Sequence, residues 1–87
     1  KPKQSTKHLP QYNVILLNDD VNSAMDIVRR IVEFVKLELH DAVVKMKEAH
    51  QQGQSLLLTT HRDRAELIQE QFQSCIPSIC VELVPTE

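Results

Sequence analysis

An asparagine and two carboxylates, Asn18, Asp19 and Asp20, separate an apolar run that ends at Leu17 from a second one that includes Met25, Ile27 and Val28. Asn and Asp favour turns and helix approaches, so one reading of the triplet is plain turn chemistry. Ser23, three residues ahead of Asp26, already has the form of a helix cap, which leaves neither carboxylate needed for capping. Two adjacent carboxylates repel each other, and a cation beside them would relieve the repulsion. His50 is the second outlier. It closes an otherwise apolar helical stripe, either as a satisfied half-buried imidazole or as a ligand group.

Taken together these residues offer acceptors at one end, Asn18, Asp19, Asp20 and His50, and apolar groups beside them, Met25, Val28, Met46 and Ala49. A ligand suited to such a site has a cationic head and an apolar body. The free amino terminus of a polypeptide that begins with a bulky apolar residue has that form, and its ammonium donates three hydrogen bonds. Other chemistry finds less support. His40, His50, His61 and the two cysteines show no H-x-x-x-H or C-x-x-C spacing, so no metal is expected. No Ser or Cys stands in a nucleophile-elbow context, and no glycine-rich loop could hold a phosphate or a cofactor. The catalytic rival is a small hydrolase using His50 with Asp19 or Asp20. The non-catalytic rival is an interaction domain of the same fold in which the triplet is only a turn.

The elements that would position these groups follow from periodicity. Tyr12–Leu17 alternates as a strand. The cap at Ser23 starts a helix whose stripe is Met25, Ile27, Val28, Ile31, Val32, Phe34 and Val35. A second helix carries Leu39, Ala42, Val43, Met46, Ala49 and His50, with Gly53 at the stop. Residues 55–60 read as a strand. Thr60 with Asp63 repeats the capping pattern before a third stripe of Ala65, Ile68, Phe72 and Cys75, ended by Pro77. Residues 78–84 read as the last strand. The order β-α-α-β-α-β, with no strands joined by a tight turn, predicts an α+β fold: a three-stranded antiparallel sheet packed against three helices.

The bulk composition agrees. With 87 residues, 41% of them hydrophobic and 25% charged, the chain fits one domain with one core and a shallow site. Residues 1–11 are polar, carry two prolines and read as a flexible extension; residues 12–87 form the domain. A net charge of -2 and three aromatic residues argue against nucleic acid as a partner. No apolar stretch approaches the ~20 residues that span a bilayer, and the leader lacks the apolar core of a secretory signal, so a soluble intracellular protein is expected. Cys75 and Cys80 have neither a framework nor a redox spacing and read as small buried hydrophobes.

The Asn-Asp-Asp run after a strand, the capped helix, and the Met46-x-x-Ala49-His50-x-x-Gly53 pattern together resemble the ClpS family, adaptors of the bacterial and plastid N-end rule pathway. The resemblance covers Tyr12 to about Val84, with the two motifs at the family's constant separation. It implies an adaptor with no catalytic activity and no cofactor. Such a protein binds the first residue of N-degron substrates, usually Leu, Phe, Tyr or Trp, and passes them to a Clp AAA+ unfoldase of the ClpA or ClpC type. It further implies a monomer in the cytoplasm or plastid stroma, with Asn18, Asp19, Asp20 and His50 on the ammonium. Ser23, Met25, Val28, Met46 and Ala49 would form the side-chain pocket, closed by Ser78 or Ile79, and Asp63 would face the unfoldase.

Three departures stand out. The family's Asp-Asp-Tyr-Thr-Pro-Met is here Asp-Asp-Val-Asn-Ser-Ala-Met, one residue longer. Aligning the caps puts Ser23 on the family threonine and Met25 on the gating methionine, with the extra residue at Val21 or Asn22. A rigid count puts Ala24 at the gate. Ala49 replaces a common valine, which predicts a roomier pocket, and the segment after Gly53 diverges.

Overall fold

β1, Gln11–Leu17, alternates sides, and its inward positions Val14 and Leu16 are almost fully buried. The computed structural model describes residues 10–86. Most of the extension expected over residues 1–11 lies outside the described residues, whereas Gln11 belongs to the strand and pairs with His61.

β1 is the central strand of a three-stranded antiparallel sheet in the order β2-β1-β3, with β2 at Gln54–His61 and β3 at Val81–Pro85. A register shift between Val14 and Ile15 leaves Leu57 without a partner opposite, and Leu57 is buried. Extra residues of this kind bend the strand that carries them. β3 is shorter than the expected 78–84. Its approach is held instead by single bonds, Ile79 N to Phe72 O (3.0 Å) and Leu17 N to Cys80 O (3.2 Å).

Three helices pack on the sheet: α1 at Ala24–Arg30, α2 at Leu39–Gln52 and α3 at Arg62–Gln73. The predicted α+β order β-α-α-β-α-β is therefore the order observed. Ser23 Oγ accepts from Asp26 N at 3.2 Å, as the capping pattern requires, while the Asp26 carboxylate turns to Arg29 at 3.5 Å. α1 runs on into a π-helical turn, Ile31–Val35, that ends at Lys36 in the left-handed conformation (φ 70°).

Gly53 caps α2 at φ 91°, where a side chain would be strained, and donates to Ala49 O at 2.9 Å. The expected cap at Thr60 is not formed. Thr60 points into the core as part of β2, and His61 caps α3 by accepting from Arg64 N. α3 stops at Gln73, four residues before Pro77, and Ser74 Oγ donates to Glu70 O.

The core joins Val14 and Leu16 to Ile27, Ile31, Val35, Ile68, Phe72 and Val81, and the Phe34 ring meets Phe72 edge-on with centroids 5.1 Å apart. Of the two cysteines expected to be buried, Cys75 packs against the edge of the core and Cys80 does not. Cys80 lies between inward-facing Ile79 and Val81 and is turned outward, and Cys75 is half-buried beyond the end of α3. No helix among the described residues is long and apolar enough to cross a membrane.

Candidate functional site

Where β1 ends, the backbone is tied on both sides: Leu17 N to Cys80 O, and Asn18 N to Gly53 O at 3.0 Å. The following loop is shaped by Asp19. Its Oδ1 accepts the backbone N–H of Val21 (2.7 Å) and of Asn22 (2.9 Å), and its Oδ2 accepts the Asn22 side-chain amide (2.7 Å). That amide also donates to Ser78 O at 3.3 Å, linking the loop to the approach of β3. Burial pushes the Asp19 carboxyl up, but the hydrogen bonds from Asn22 and Val21 outweigh it and hold its pKa below the ordinary aspartate value. Asp20 is differently employed. It is exposed, and among the described residues its side chain accepts one long 3.4 Å hydrogen bond, from the Asn18 side-chain amide.

This loop, the start of α1 and the end of α2 enclose a cleft of about 600 Å³. Leu16, Ala24, Ile27, Met46 and Ala49 supply its apolar lining, and Asn18, Asp19, Asp20, Asn22 and His50 its polar side. On α2 a residue advances about 100° around the axis. Ala49, Met46, His50, Lys47 and Gln51 therefore follow one another around the helix from the core outward. Burial follows the same gradient, from Ala49 at 3% exposure through half-buried Met46 to exposed His50, Lys47 and Gln51. The lining contains no Ser, Thr or Cys. Among the described residues no group of three or more His, Cys, Asp or Glu could hold a metal ion.

Several predicted site residues stand elsewhere. Met25 and Val28 instead line, with Arg29, Val32, Glu33 and Leu39, a separate groove of about 380 Å³. The reason is helical phase. Around α1 the order is Ile27, Ala24, Val28, Met25, so Ile27 and Ala24 border the cleft, buried Val28 lies between the two hollows, and Met25, turned 100° from Ala24, is 61% exposed. Ser23 remains outside the cleft as the cap, Ile79 is buried in the core, and Ser78 contributes only its carbonyl to Asn22. Asp63 is exposed in the first turn of α3, away from the cleft lining.

The cleft also includes residues not expected at the site: Leu16, Leu17 and Ile27, which periodicity assigns to the strand and helix without marking them as lining, and Asn22, Lys47 and Gln51, which it does not single out. Ala24 is the position that a rigid count from the Asn-Asp-Asp run reaches, so that count, not the capping pattern, is the signal for the wall.

A sheet that hands its central strand to a helix pair across a polar loop, leaving an apolar cleft at the handover, defines a small α+β domain with a candidate binding cleft at that junction. The family described as ATP-dependent Clp protease adaptor protein ClpS matches residues 7–77. The chain belongs to this family of Clp protease adaptors. The ClpS adapter protein of Synechococcus elongatus is 38% identical over 77 residues, 85% of this chain and 81% of that protein. The chloroplastic ClpS adapter of Chlamydomonas reinhardtii is 35% identical over 65 residues, 74% of this chain and 40% of that protein. Among solved structures, Agrobacterium tumefaciens ClpS2 bound to L-phenylalaninamide shares the fold with a TM-score of 0.80 at 21% identity, covering 87% of this chain and 96% of that one.

Proposed function

We propose that the cleft binds the free amino terminus of proteins whose first residue is bulky and apolar, Leu, Phe, Tyr or Trp. The chain passes these N-degron substrates to a Clp AAA+ unfoldase of the ClpA or ClpC type. It acts as a monomeric adaptor in the cytoplasm or plastid stroma and catalyses no reaction.

The observation that carries this reading is the juxtaposition in one cleft of Asn18, Asp20 and His50 with the apolar wall of Leu16, Ala24, Ile27, Met46 and Ala49. An ammonium has three donors, and these three side chains offer it the Asn18 amide oxygen, a carboxylate and an imidazole nitrogen. Asp19 acts by position. With its oxygens occupied by Val21 and Asn22, it holds the loop that aims its neighbours. The free amine and phenyl ring of the ligand in the Agrobacterium relative fit the same division into polar and apolar ends. Asp63, exposed on α3, serves the unfoldase contact.

Burying a Leu or Phe side chain contributes about 1.5–3 kcal/mol, and a hydrogen bond to a charged group about 1.5–3 kcal/mol. Only a ligand with both features gains the sum. Acetylation removes the charge and two of the donors, leaving Asp20 against a neutral group. The test is fluorescence polarisation with a Phe-initiated peptide and its acetylated twin. Binding of the free peptide alone is expected; equal binding of both, or of neither, overturns the reading.

A further inference from the structure

We propose that Lys47 gives the cleft a second level of selection, favouring substrates with an acidic residue directly behind the first and disfavouring a basic one. This rests on the amino-terminus reading and deepens it.

The order of residues around α2 sets the path of the ligand. Ala49 and Met46 lie deepest, His50 follows, and Lys47 and Gln51 form the outer edge of the same wall. A peptide with its first side chain against Met46 and Ala49 and its ammonium at His50 must leave the cleft past that edge. The cleft, at about 600 Å³, has room for more than one buried side chain.

Lys47 is the cation at this exit, and nothing nearby on its helix neutralises it. The residues three and four away, Val43, Val44, His50 and Gln51, include no acid. Lys45, two residues earlier, pairs with Glu48 at 3.8 Å, whereas among the described residues Lys47 makes no ion pair. On the opposite wall Asp19 is bound up by its own loop, and Asp20 is assigned to the ammonium. The first charge available to Lys47 is then that of the ligand's second residue.

The experiment compares three peptides that differ only at the second position, Leu-Glu, Leu-Gln and Leu-Lys, on the native chain, Lys47→Gln and Lys47→Glu. Exposed ion pairs are modest and salt-screened, so the native chain should bind Leu-Glu about two- to fivefold more tightly than Leu-Lys at low salt, less so at high salt. The preference should vanish in Lys47→Gln and invert in Lys47→Glu. An unchanged ranking in all three proteins, with all peptides bound, overturns this inference and leaves the amino-terminus reading standing. Failure of the neutral Leu-Gln peptide to bind the native chain overturns both.

Discussion

Asp19 and Asn22 close the loop at the mouth of the cleft: the Asn22 side-chain amide donates to Asp19 Oδ2 at 2.7 Å and reaches Ser78 O at 3.3 Å. One amide thus joins the acidic turn that carries Asn18 and Asp20 to the approach of β3.

Asn22→Ala should therefore weaken peptide binding severalfold while the sheet and core persist. The variant keeps Asn18, Asp20 and His50 but frees the loop from Ser78. Circular dichroism and peptide titration check this together; unaltered affinity would show that the loop holds its form without the bridge.

The Asp19 carboxyl titrates below its unfolded value of about 3.9, so its contribution to stability is present above that value and lost as the pH falls through the lower folded one. Asp19→Asn should be less stable than the native chain at pH 6, and the gap should close as the pH falls from about 5 to about 2. Denaturant unfolding across that range measures it. A gap that stays constant to pH 2 would mean that the charge on Asp19 contributes nothing.

Asp20→Ala and His50→Ala should each lower affinity for a Leu-initiated peptide more than tenfold, in line with about 1.5–3 kcal/mol for a charge-assisted bond. Both side chains are exposed, so melting temperature should hardly change. Full affinity in both variants would place the ammonium elsewhere.

Filling the wall should change the ranking of ligands. Ala24 lines the cleft from an exposed position, so Ala24→Leu adds bulk without crowding the core. Trp- and Phe-initiated peptides should lose more affinity than Leu-initiated ones. An unaltered order would remove Ala24 from the wall.

Phe72→Ala addresses the frame instead of the cleft. Phe72 is fully buried and stacks edge-on against Phe34, so its loss should cost about 3–5 kcal/mol. That is a large part of the 5–15 kcal/mol typical of a domain. Chemical denaturation reads it directly.

Most of the frame was legible from local chemistry. The alternation in β1, the Ser23 cap and the left-handed stop at Gly53 each act over a few residues, and all three stand as expected. Local signals misled where tertiary packing took precedence. Thr60 has the form of a cap but is drawn into the core by the strand, and His61 takes its place. Cys80 reads as buried by composition, yet its side is set by buried Ile79 and Val81 on either flank.

The candidate site divides in the same way. Residue types and spacing alone determined that a polar turn and a helix-borne imidazole would accompany an apolar face, because those patterns repeat within single elements. Only the tertiary structure decided which face of α1 meets the cleft, setting Ala24 and Ile27 in the wall and turning Met25 outward. It also separated the roles of two neighbouring aspartates, one bound into its loop and one left open. Helical phase against a neighbour, and bonds to Ser78 some fifty-six residues away, are long-range quantities that no local pattern contains.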